Sequence, residues 1–553
     1  MAFLLFILLP LWPIDFHYFF ADRLVLAHGT ALLFFVLFLF RSWKGSLSFH
    51  LTIPDILLGL FYFSFSLSQA AADVSATGVL PSLLESSFVV IYIAFRILGD
   101  KLKDPGDFKV FALMICGSTT LLALWGLLQY FTGIDVAEDL KALFASHHLP
   151  VIASMGNPNF LSEFLVLAMP LTLAAGFLMK RFSVFSIIFL IQGLCIYLTY
   201  SRLAWAVFLM FMGISFFFAR ENRRRLGFLY AAALLAAGML FAFHQYRGAP
   251  QAGRVVKNLT SQSPFAERAV MYRAACAMVK DSSFLGHGPG AFARDFPPYR
   301  SRAEKEAGES AKKETPELKH AHSDFLEIAY DNGFMALFFY CGLMGYGILR
   351  GLSLLKRNEG DLKNGAATIP LLVLPFSIWA FPFFLPFSKI LFLFSLASVG
   401  GCEIFIERKW LLKGAAVLLA GAGIFAAAWQ VRYMESQYYY NKGIDLFDRD
   451  MKTGREALEE SVELFPYEGF SWFSLGSLLL NGGYREGIDH VEASLIFYAD
   501  GPAFLTLARG SRDHDEIDAS LEYYRRYLQL IPGDEAVRRE MNELKNYHEK
   551  IKN

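Results

Sequence analysis

Charged residues are scarce in this sequence, and cysteines are scarcer. Only 18% of the 553 residues are Asp, Glu, Lys or Arg, and the 51 basic residues balance the 51 acidic ones. With zero net charge the chain has no overall electrostatic attraction for nucleic acid, so no nucleic-acid partner is expected. Of the five cysteines, four lie in apolar segments and none forms a Cys-x-x-Cys pair. This excludes a disulfide framework and a cysteine metal site.

The N-terminal stretch MAFLLFILLPLW lacks two features of a cleaved signal peptide. No basic residue precedes the apolar run, and no small-residue cleavage site follows it. We therefore expect a retained first membrane helix.

Apolar residues are abundant. Hydrophobic residues make up 55% of the chain and aromatic residues 16%, and the mean hydropathy is positive, as in membrane proteins. Runs long enough to span a bilayer predict an all-α, polytopic membrane protein with about 12–13 transmembrane helices. Around FPFFLPFSK a re-entrant turn is the alternative to one span. The predicted spans are 2–20, 24–40, 52–70, 79–97, 108–131, 159–179, 183–200, 203–219, 226–244, 333–350, 366–385, 387–406 and 411–430.

The distribution of basic residues predicts the orientation of these helices. Cytoplasmic loops collect Lys and Arg, and here such residues cluster in every second loop, for example at 180–181 and 223–225. The N-terminus is therefore predicted to be cytoplasmic. The large loop 245–332 and the chain after about 431 are predicted to lie outside, in the periplasm of a cell with two membranes.

The C-terminal part of the chain, residues 438–553, is charged and has helical periodicity, which predicts a soluble helical domain. Three phrases, ELFPYE around Pro466, FYADGP around Asp500 and QLIPGDE around Pro532, recur about 34 and then about 32 residues apart. This period is typical of tetratricopeptide (TPR) helix pairs. We predict a TPR-like domain, with a plain helical bundle as the alternative.

Ionisable residues at the predicted outer boundary are candidates for function, because charge is costly in a bilayer unless it faces water or a partner. The first cluster, GNPNFLSEFL, contains Asn157, Asn159 and Glu163. Asn157 before Pro158 suits a helix N-cap, an explanation that does not extend to Glu163 inside the helix. The second cluster, TYSRLAW, places Arg202 in a short outer loop, where it either snorkels to the interface or has a function.

The third cluster lies in the large loop, in SPFAERAVMYRAACAMVKDSSFLGHGPGAF. Arg268 and Arg273 precede a turn with Gly286, Gly288 and Gly290. Spaced glycines expose backbone N–H groups that bind anions, but no Gly-Lys-Ser/Thr follows, which excludes a nucleotide P-loop. The arginines belong either to an anion site or to a solvated helix face.

The fourth cluster is HAHSDFLEIAYDNG, where His320, His322, Asp324 and Asp331 precede an apolar run. His-x-His-x-Asp offers three metal ligands, but residues two apart point to different sides of a helix, so no metal site is expected. We interpret His320 as a surface histidine. His322 is expected about one turn before a membrane helix, and an imidazole with an unperturbed pKa of ~6.5 accepts a proton near neutral pH.

Together these segments resemble the O-antigen ligase family and its relatives, the O-antigen polymerases and the bacterial protein O-oligosaccharyltransferases. The resemblance rests on the order and shared outer side of GNPN, T-x-S-R with Arg202, E-R…Y…FLGHGPGAF with Arg268, and H-S-D-F-L…D-N-G with His322. Tyr272 stands where the family often has tryptophan, and Asp331 where it often has glutamate.

The resemblance implies a GT-C-like membrane glycosyltransferase domain at residues 1–430, followed by the TPR-like domain at 438–553. Such an enzyme transfers a glycan from an undecaprenyl diphosphate carrier to an acceptor hydroxyl, without a nucleotide sugar, a cofactor or an obligatory metal. The acceptor is a lipid A core sugar, a growing glycan or a protein serine. Ligase, polymerase and protein glycosylation therefore remain open, in that order.

Physical chemistry suggests roles for the candidates. A polyprenyl diphosphate is an anion at the membrane surface, so Arg202 and Arg268 are expected to bind it, with Arg273 as a weaker contact. Their charges stabilise the diphosphate as it leaves. His322 is the expected general base, oriented by Asp324 or Asp331. Attack opposite the leaving group would invert the anomeric configuration. The remaining candidates for substrate binding are Asn157, Asn159, Glu163, Gly288 and Gly290.

Two explanations from other classes compete. A lipid-linked glycan transporter or flippase predicts two repeating halves and charges near mid-membrane, and the sequence has neither. A non-catalytic scaffold would explain the TPR-like tail but leave Arg202, Arg268 and His322 without a role. If the chain is an enzyme, the tail is an accessory that recruits a protein acceptor or an assembly partner.

Overall fold

The computed structural model describes residues 21–42, 49–101, 105–132, 151–246, 263–307, 320–358, 361–380, 385–400, 403–406, 409–447, 449–497 and 499–552. These residues are mostly helical and belong to two compact units. The first unit consists of Met1–Gly59, Ser86–Gln262 and Tyr340–Ala427. The second consists of Leu60–Glu85, Ser263–Phe339 and Ala428–Asn553.

The helices are numbered in chain order. Helices α1 to α8 are Ala21–Ser42, Ile53–Ala71, Val79–Lys101, Pro105–Thr132, Pro158–Leu178, Phe182–Leu198, Arg202–Phe218 and Arg223–Tyr246. Within the large loop, α9 to α11 are Ser263–Asp281, Ala291–Glu306 and Asp324–Asp331. Helices α12 to α15 are Gly333–Arg357, Asp361–Trp379, Pro386–Val399 and Lys409–Leu446. The C-terminal helices α16 to α21 are Met451–Leu464, Gly469–Asn481, Gly487–Ser494, Gly501–Asp513, Ile517–Leu530 and Glu535–Lys552.

Seven helices of the described chain are long and apolar enough to cross a membrane, namely α2, α3, α4, α5, α8, α12 and α15. Helices α1, α6, α7 and α14 contain shorter apolar segments. Each of these helices coincides with a predicted span, and α13 overlaps the predicted span 366–385. The predicted span 2–20 lies outside the described residues. The chain is therefore a polytopic helical membrane protein.

A short strand pair was not predicted from the sequence. Helix α14 ends at Val399, and Gly400 follows it with a φ of 57°. Strand β2, Glu403–Ile406, pairs antiparallel with β1, Phe49–Thr52, so the predicted span 387–406 ends too late. Strands of four residues are too short to give an alternating pattern that stands out beside apolar helices.

The last predicted span and the start of the C-terminal tail are one continuous helix. Helix α15 has 38 residues, which corresponds to about 57 Å of helix. The sequence predicts that the span ends at about 430, but residues 424–442 contain no Gly or Pro that would end a helix there.

The first unit is built around α5, the most enclosed of the seven spans. In its apolar window 89% of the residues are buried. A Cβ on Gly365 of α13 would lie 2.9 Å from the Cβ of Ala174 and 3.0 Å from the carbonyl oxygen of Pro170, both on α5. Small residues thus let these two helices approach closely, as is common between membrane helices.

Buried polar side chains also connect helices of the first unit. His28 of α1 lies between the Ser87 hydroxyl of α3, with Nδ1 and Oγ 2.9 Å apart, and the Gly423 carbonyl of α15, with Nε2 and O 3.0 Å apart. Gln192 of α6 donates to the Thr119 hydroxyl of α4 at 2.8 Å. These bonds satisfy polar groups that would otherwise be costly in an apolar interior.

In the second unit, the large loop forms a small helical domain with its own core. Its buried members are Val270, Met271, Ala274, Ala275, Met278, Ala291, Phe292, Phe296, Ala303, Ala321 and Tyr330. Two backbone segments cross closely at Gly286 and Gly333. A Cβ on Gly286 would lie 2.4 Å from the Asp331 carbonyl oxygen, and one on Gly333 would lie 2.3 Å from the Phe284 carbonyl oxygen.

The sequence predicts that the segment beginning with His320 runs directly into the membrane helix, but the structure shows that it does not. It first forms the eight-residue helix α11, and α12 begins only at Gly333, which has a φ of 79°. His322 is therefore eleven residues before the start of α12 instead of about one turn. The close backbone crossing at Gly333 explains the break, and nothing in the hydrophobic pattern indicates it.

Helices α17, α19 and α21 each follow an acidic residue that caps them. The carboxylates of Glu468, Asp500 and Asp534 accept hydrogen bonds from backbone N–H groups of the following first turn. These acidic residues are 32 and 34 residues apart and lie in or beside the three recurring phrases. The phrases thus mark helix starts.

The same part of the chain has side-chain pairs at a regular separation. Arg485 pairs with Glu516, Arg509 with Glu540, and Tyr523 with Glu492, each 31 positions apart. Arg509–Glu540 joins α19 to α21, and Tyr523–Glu492 joins α20 to α18.

Two contacts within the second unit hold the C-terminal helices. The rings of Tyr433 on α15 and Phe465 have centroids 4.9 Å apart. In the loop domain, the buried Ser301 hydroxyl of α10 donates to the Gln529 carbonyl oxygen of α20 at 2.8 Å. The loop domain and the C-terminal helices therefore pack directly on each other.

The close crossing at Gly333 gives the first prediction. Replacing Gly333 with Ala places a Cβ against backbone and forces a residue with a side chain into a left-handed conformation, so we expect a loss of roughly 1–3 kcal/mol of stability. The measurement is the apparent midpoint of thermal unfolding of the detergent-purified protein. Gly345→Ala, also in α12, is the matched control because no atom lies within 4 Å of its added Cβ. Equal midpoints for both variants would contradict the prediction.

Candidate functional site

The candidate residues belong to both units, and each group is considered by itself. Asn157, Asn159, Glu163 and Arg202 lie in the first unit. The second unit contains Arg268, Arg273, Gly288, Gly290, His322, Asp324 and Asp331.

Asn157 has the capping role that its sequence position suggests. It has an extended backbone, its side-chain oxygen accepts the Asn159 N–H at 2.8 Å, and Pro158 occupies the first turn of α5. Asn159 is exposed. The cap accounts for the GNPN motif structurally.

Glu163 is not explained by capping its own helix. It is 2% exposed inside α5, and its Oε1 has no hydrogen-bond partner among the described residues, while the carboxyl group bonds to Ser388 at the start of α14. Phe164 and Phe387 hold the two helices together, with ring centroids 5.6 Å apart. A buried carboxyl with an unused acceptor inside a membrane protein is a candidate for function.

Arg202 is the first residue of α7. The preceding Tyr200 has a φ of 56°, which ends α6 sharply, and the Trp205 indole N–H donates to the Ile196 carbonyl oxygen at 3.1 Å across the turn. A cation at a helix N-terminus is disfavoured by the helix dipole, typically by 0.3–1 kcal/mol. An anion bound there would be favoured by both the guanidinium and the helix N-terminus.

Helix α9 carries the two arginines of the large loop. Arg268 and Tyr272 are four residues apart and share a face, and both are half-buried. Arg273 is exposed and lies about 140° around the helix from Arg268 at 100° per residue. The two arginines therefore point to different sides of α9.

The glycine-rich turn does not offer its N–H groups to a substrate anion, contrary to the sequence-based interpretation. The N–H of Gly288 donates to the Asp331 carbonyl oxygen at 2.8 Å. The N–H of Gly290 donates to the Asp331 carboxylate at 2.9 Å. The group that the turn binds is a carboxyl side chain of the same domain.

Asp331 has structural contacts of its own. Its two carboxylate oxygens accept the N–H groups of Gly290 and Phe292, the latter at 2.7 Å, and the side chain is buried. Asp331 is a structural residue that joins α11 to the start of α10. Asp324 is fully buried at the start of α11.

His322 lies in the short segment between His320, where the described residues resume, and Asp324, where α11 begins. Its backbone is left-handed, with a φ of 50°. The Tyr272 hydroxyl donates to the His322 carbonyl oxygen at 2.9 Å. One residue earlier, the Ala321 N–H donates to Glu327 Oε2 at 2.7 Å, and the other carboxylate oxygen lies 2.7 Å from His320 Nδ1.

The surroundings of His322 keep its imidazole neutral. Burial lowers the pKa of His322 to about 4, and the charges of Arg268 and His320 act in the same direction. The neutral form of an imidazole is the one that accepts a proton. Arg268 therefore acts on His322 electrostatically.

Sequence reasoning did not predict that Tyr272 and Glu327 contact the backbone at His322 and Ala321. Tyr272 was visible only as a departure from a family pattern, and Glu327 only as one more acid in the motif. His320 pairs with Glu327 and is not simply a surface histidine. Among the described residues no group of three His, Cys, Asp or Glu side chains could hold a metal ion.

Comparison with protein families places the loop candidates in a known context. The family model for O-antigen ligase matches residues 187–341, about a quarter of the chain. The matched segment contains Arg202, Arg268, Arg273, His322 and Asp331. No curated protein matches the sequence. The match shows that this segment is similar to the O-antigen ligase family, and the apolar helices agree with a multi-pass membrane protein.

Proposed function

We propose that this chain transfers a glycan from an undecaprenyl diphosphate carrier to an acceptor hydroxyl, in the manner of an O-antigen ligase. The observation that carries the proposal is a neutral, fixed histidine beside Arg268, within the segment that matches the family. In the proposed orientation, the large loop and the C-terminal domain are periplasmic and the N-terminus is cytoplasmic.

The donor is an anion that has to be bound before it can leave. Arg202 and Arg268 are proposed to bind its diphosphate, since guanidinium groups form bidentate bonds to phosphate oxygens. When the bond between the anomeric carbon and the phosphate oxygen breaks, the diphosphate takes the electron pair. Fixed cations stabilise this growing charge more than the ground state, which accelerates the reaction.

The acceptor hydroxyl supplies the new bond. Its oxygen attacks the anomeric carbon opposite the leaving diphosphate, and its proton passes to a ring nitrogen of His322. The product then has inverted anomeric configuration. A histidine base typically contributes 10²–10⁴-fold to the rate. No cofactor or metal enters these steps.

The depressed pKa of His322 fits a base that is tuned by its substrate. A ring with a pKa of about 4 is fully deprotonated at neutral pH but is a weak base. A bound diphosphate brings negative charge close to it and raises its pKa, which strengthens the base when the donor is present. Base strength is thus coupled to donor binding.

The acceptor is open among a lipid A core sugar, a growing glycan and a protein serine. Of these three, we favour the lipid A core sugar, which corresponds to the ligase reaction of lipopolysaccharide assembly. The C-terminal helices, with caps 32 and 34 residues apart, support a TPR-like domain at 438–553, and such stacked helix pairs form surfaces for a protein acceptor or an assembly partner.

Transfer of label from undecaprenyl-diphosphate oligosaccharide to candidate acceptors tests the proposal. His322→Ala is expected to lower kcat by about 10²–10⁴-fold, because the hydroxyl proton loses its acceptor. Arg202→Ala is expected to lower kcat/KM strongly. Arg202→Lys is expected to recover only part of the loss, since a lysine keeps the charge but not the bidentate geometry.

Arg224→Ala, which removes an exposed arginine at the start of α8, is the matched control and is expected to retain wild-type transfer. Equal transfer by His322→Ala and wild type would remove His322 from the mechanism. Failure of the wild type to transfer label to any acceptor would favour the transporter or scaffold explanation.

The pKa of His322 predicts an unusual pH profile. Because kcat/KM reports groups of the free enzyme, its acid limb should lie near pH 4 and not near 6.5, the ordinary histidine value. The acid limb of kcat should lie at higher pH, because the bound diphosphate raises the pKa. Both profiles are measured between about pH 3 and 8, so that the range extends below the expected limb, with His322→Gln as the variant that should lack it. A kcat/KM limb at 6.5 would contradict the assignment.

Deletion of residues 447–553 tests the accessory role of the C-terminal helices. We expect loss of transfer to the natural acceptor while labelled donor still binds, because the donor-binding arginines remain. Donor binding also reports whether the shortened protein is folded. Unchanged transfer and acceptor choice would rule out recruitment by this domain.

A further inference from the structure

The backbone of His322 is held from both sides by side chains outside the proposed catalytic set. We infer that Tyr272 and Glu327 are positioning residues that fix His322 in its left-handed conformation and thereby aim the imidazole at the acceptor hydroxyl. This inference rests on the proposed function, because it assigns a purpose to the conformation of the proposed base.

The conformation of His322 requires support. With a φ of 50° it lies in the left-handed region, which costs energy for a residue with a Cβ and persists only where the surrounding structure enforces it. Such backbone conformations occur preferentially at functional sites. If the contacts of neighbouring residues with this backbone were lost, the backbone would relax and the direction of the imidazole ring would change.

Glu327 fixes the N-terminal side of His322. One oxygen accepts the Ala321 N–H and the other lies against His320 Nδ1, both at 2.7 Å. Glu327 is 3% exposed and Ala321 is fully buried, so water does not compete for the bond between them. Charge-assisted hydrogen bonds of this kind are stronger than neutral ones.

Tyr272 fixes the C-terminal side. Its hydroxyl donates to the His322 carbonyl oxygen at 2.9 Å, and burial raises the pKa of Tyr272, so the hydroxyl keeps its proton at neutral pH. Glu327 binds the N–H of Ala321 and Tyr272 binds the carbonyl oxygen of His322, so the left-handed backbone of His322 is held on both sides.

The location of Tyr272 adds a second effect. It shares a face of α9 with Arg268, four residues away, and α9 is held by the buried core of the loop domain. One rigid helix therefore carries both the arginine that acts on the His322 ring and the hydroxyl that anchors the His322 backbone. The separation of the base from that cation is fixed by helix geometry.

The test compares variants that remove one contact each. Tyr272→Phe deletes only the hydroxyl, and Glu327→Gln keeps an acceptor but loses the charge. We expect kcat to fall by roughly 10- to 100-fold, with the KM for the donor within about twofold of wild type, because a base displaced by about 1 Å loses rate but not donor affinity. The acid limb of kcat/KM should move upward, toward 6.5, as the ring becomes more solvated.

Tyr299→Phe is the matched control, since it also removes one tyrosine hydroxyl, which here donates to the carboxylate of Asp281 in a hydrogen bond exposed to solvent. It should leave kcat, KM and the pH profile unchanged. Tyr272→Trp supplies an indole N–H donor at the same position and should have a higher kcat than Tyr272→Phe. If Tyr272 acts through packing alone, Tyr272→Trp should recover stability without recovering kcat.

The outcomes separate this inference from the proposed function. If His322→Ala abolishes transfer while Tyr272→Phe and Glu327→Gln keep the wild-type kcat and pH profile, the positioning role is wrong and the base assignment stands. If His322→Ala retains full transfer, the proposed base is wrong and the positioning role fails with it. If Tyr272→Phe does not fold, Glu327→Gln and Tyr272→Trp decide by the same criteria.

Discussion

The organisation of the loop domain depends on one buried carboxylate, that of Asp331. Two backbone N–H groups at the start of α10 bind it, and the carbonyl of the same residue accepts the N–H of Gly288 and the hydroxyl of Ser68. Asp331 thus joins α2, the glycine-rich turn, α10 and α11. A buried carboxyl group without these donors would be destabilising. Because α11 also carries Glu327, the placement of the segment with His322 follows from this one interaction.

Electrostatics and geometry act together around His322. Burial and the charge of Arg268 keep the ring neutral, while Tyr272 and Glu327 hold its backbone. A neutral base near a fixed cation suits a reaction in which a proton is taken up while an anion departs. The same arrangement would have little purpose in a scaffold, which needs a surface and not a perturbed imidazole. This argument favours the enzyme over the non-catalytic explanations.

Sequence reasoning predicted the membrane helices because apolar runs are local signals. The cap Asn157 could be identified from neighbouring residues alone, whereas Asp500 and Asp534 were visible only as parts of recurring phrases. The roles of Gly288 and Asp331 could not be identified, since their hydrogen bonds join positions about forty residues apart. The break at Gly333 depends on a close approach to Phe284, which no hydrophobic pattern encodes. The candidate residues could be named from motifs, but their supporting contacts could not.

The second unit is assembled from three stretches that are distant in the chain. Ser68 bonds to a residue 263 positions later, and Gln430 to Leu83, 347 positions earlier. At 5–20 residues per second, the ribosome needs about 10–50 s to make the chain between Ser68 and Asp331. During that time the C-terminal end of α2 lacks its native neighbour from the loop domain. The second unit therefore completes its fold late in synthesis, only after all three stretches have been made.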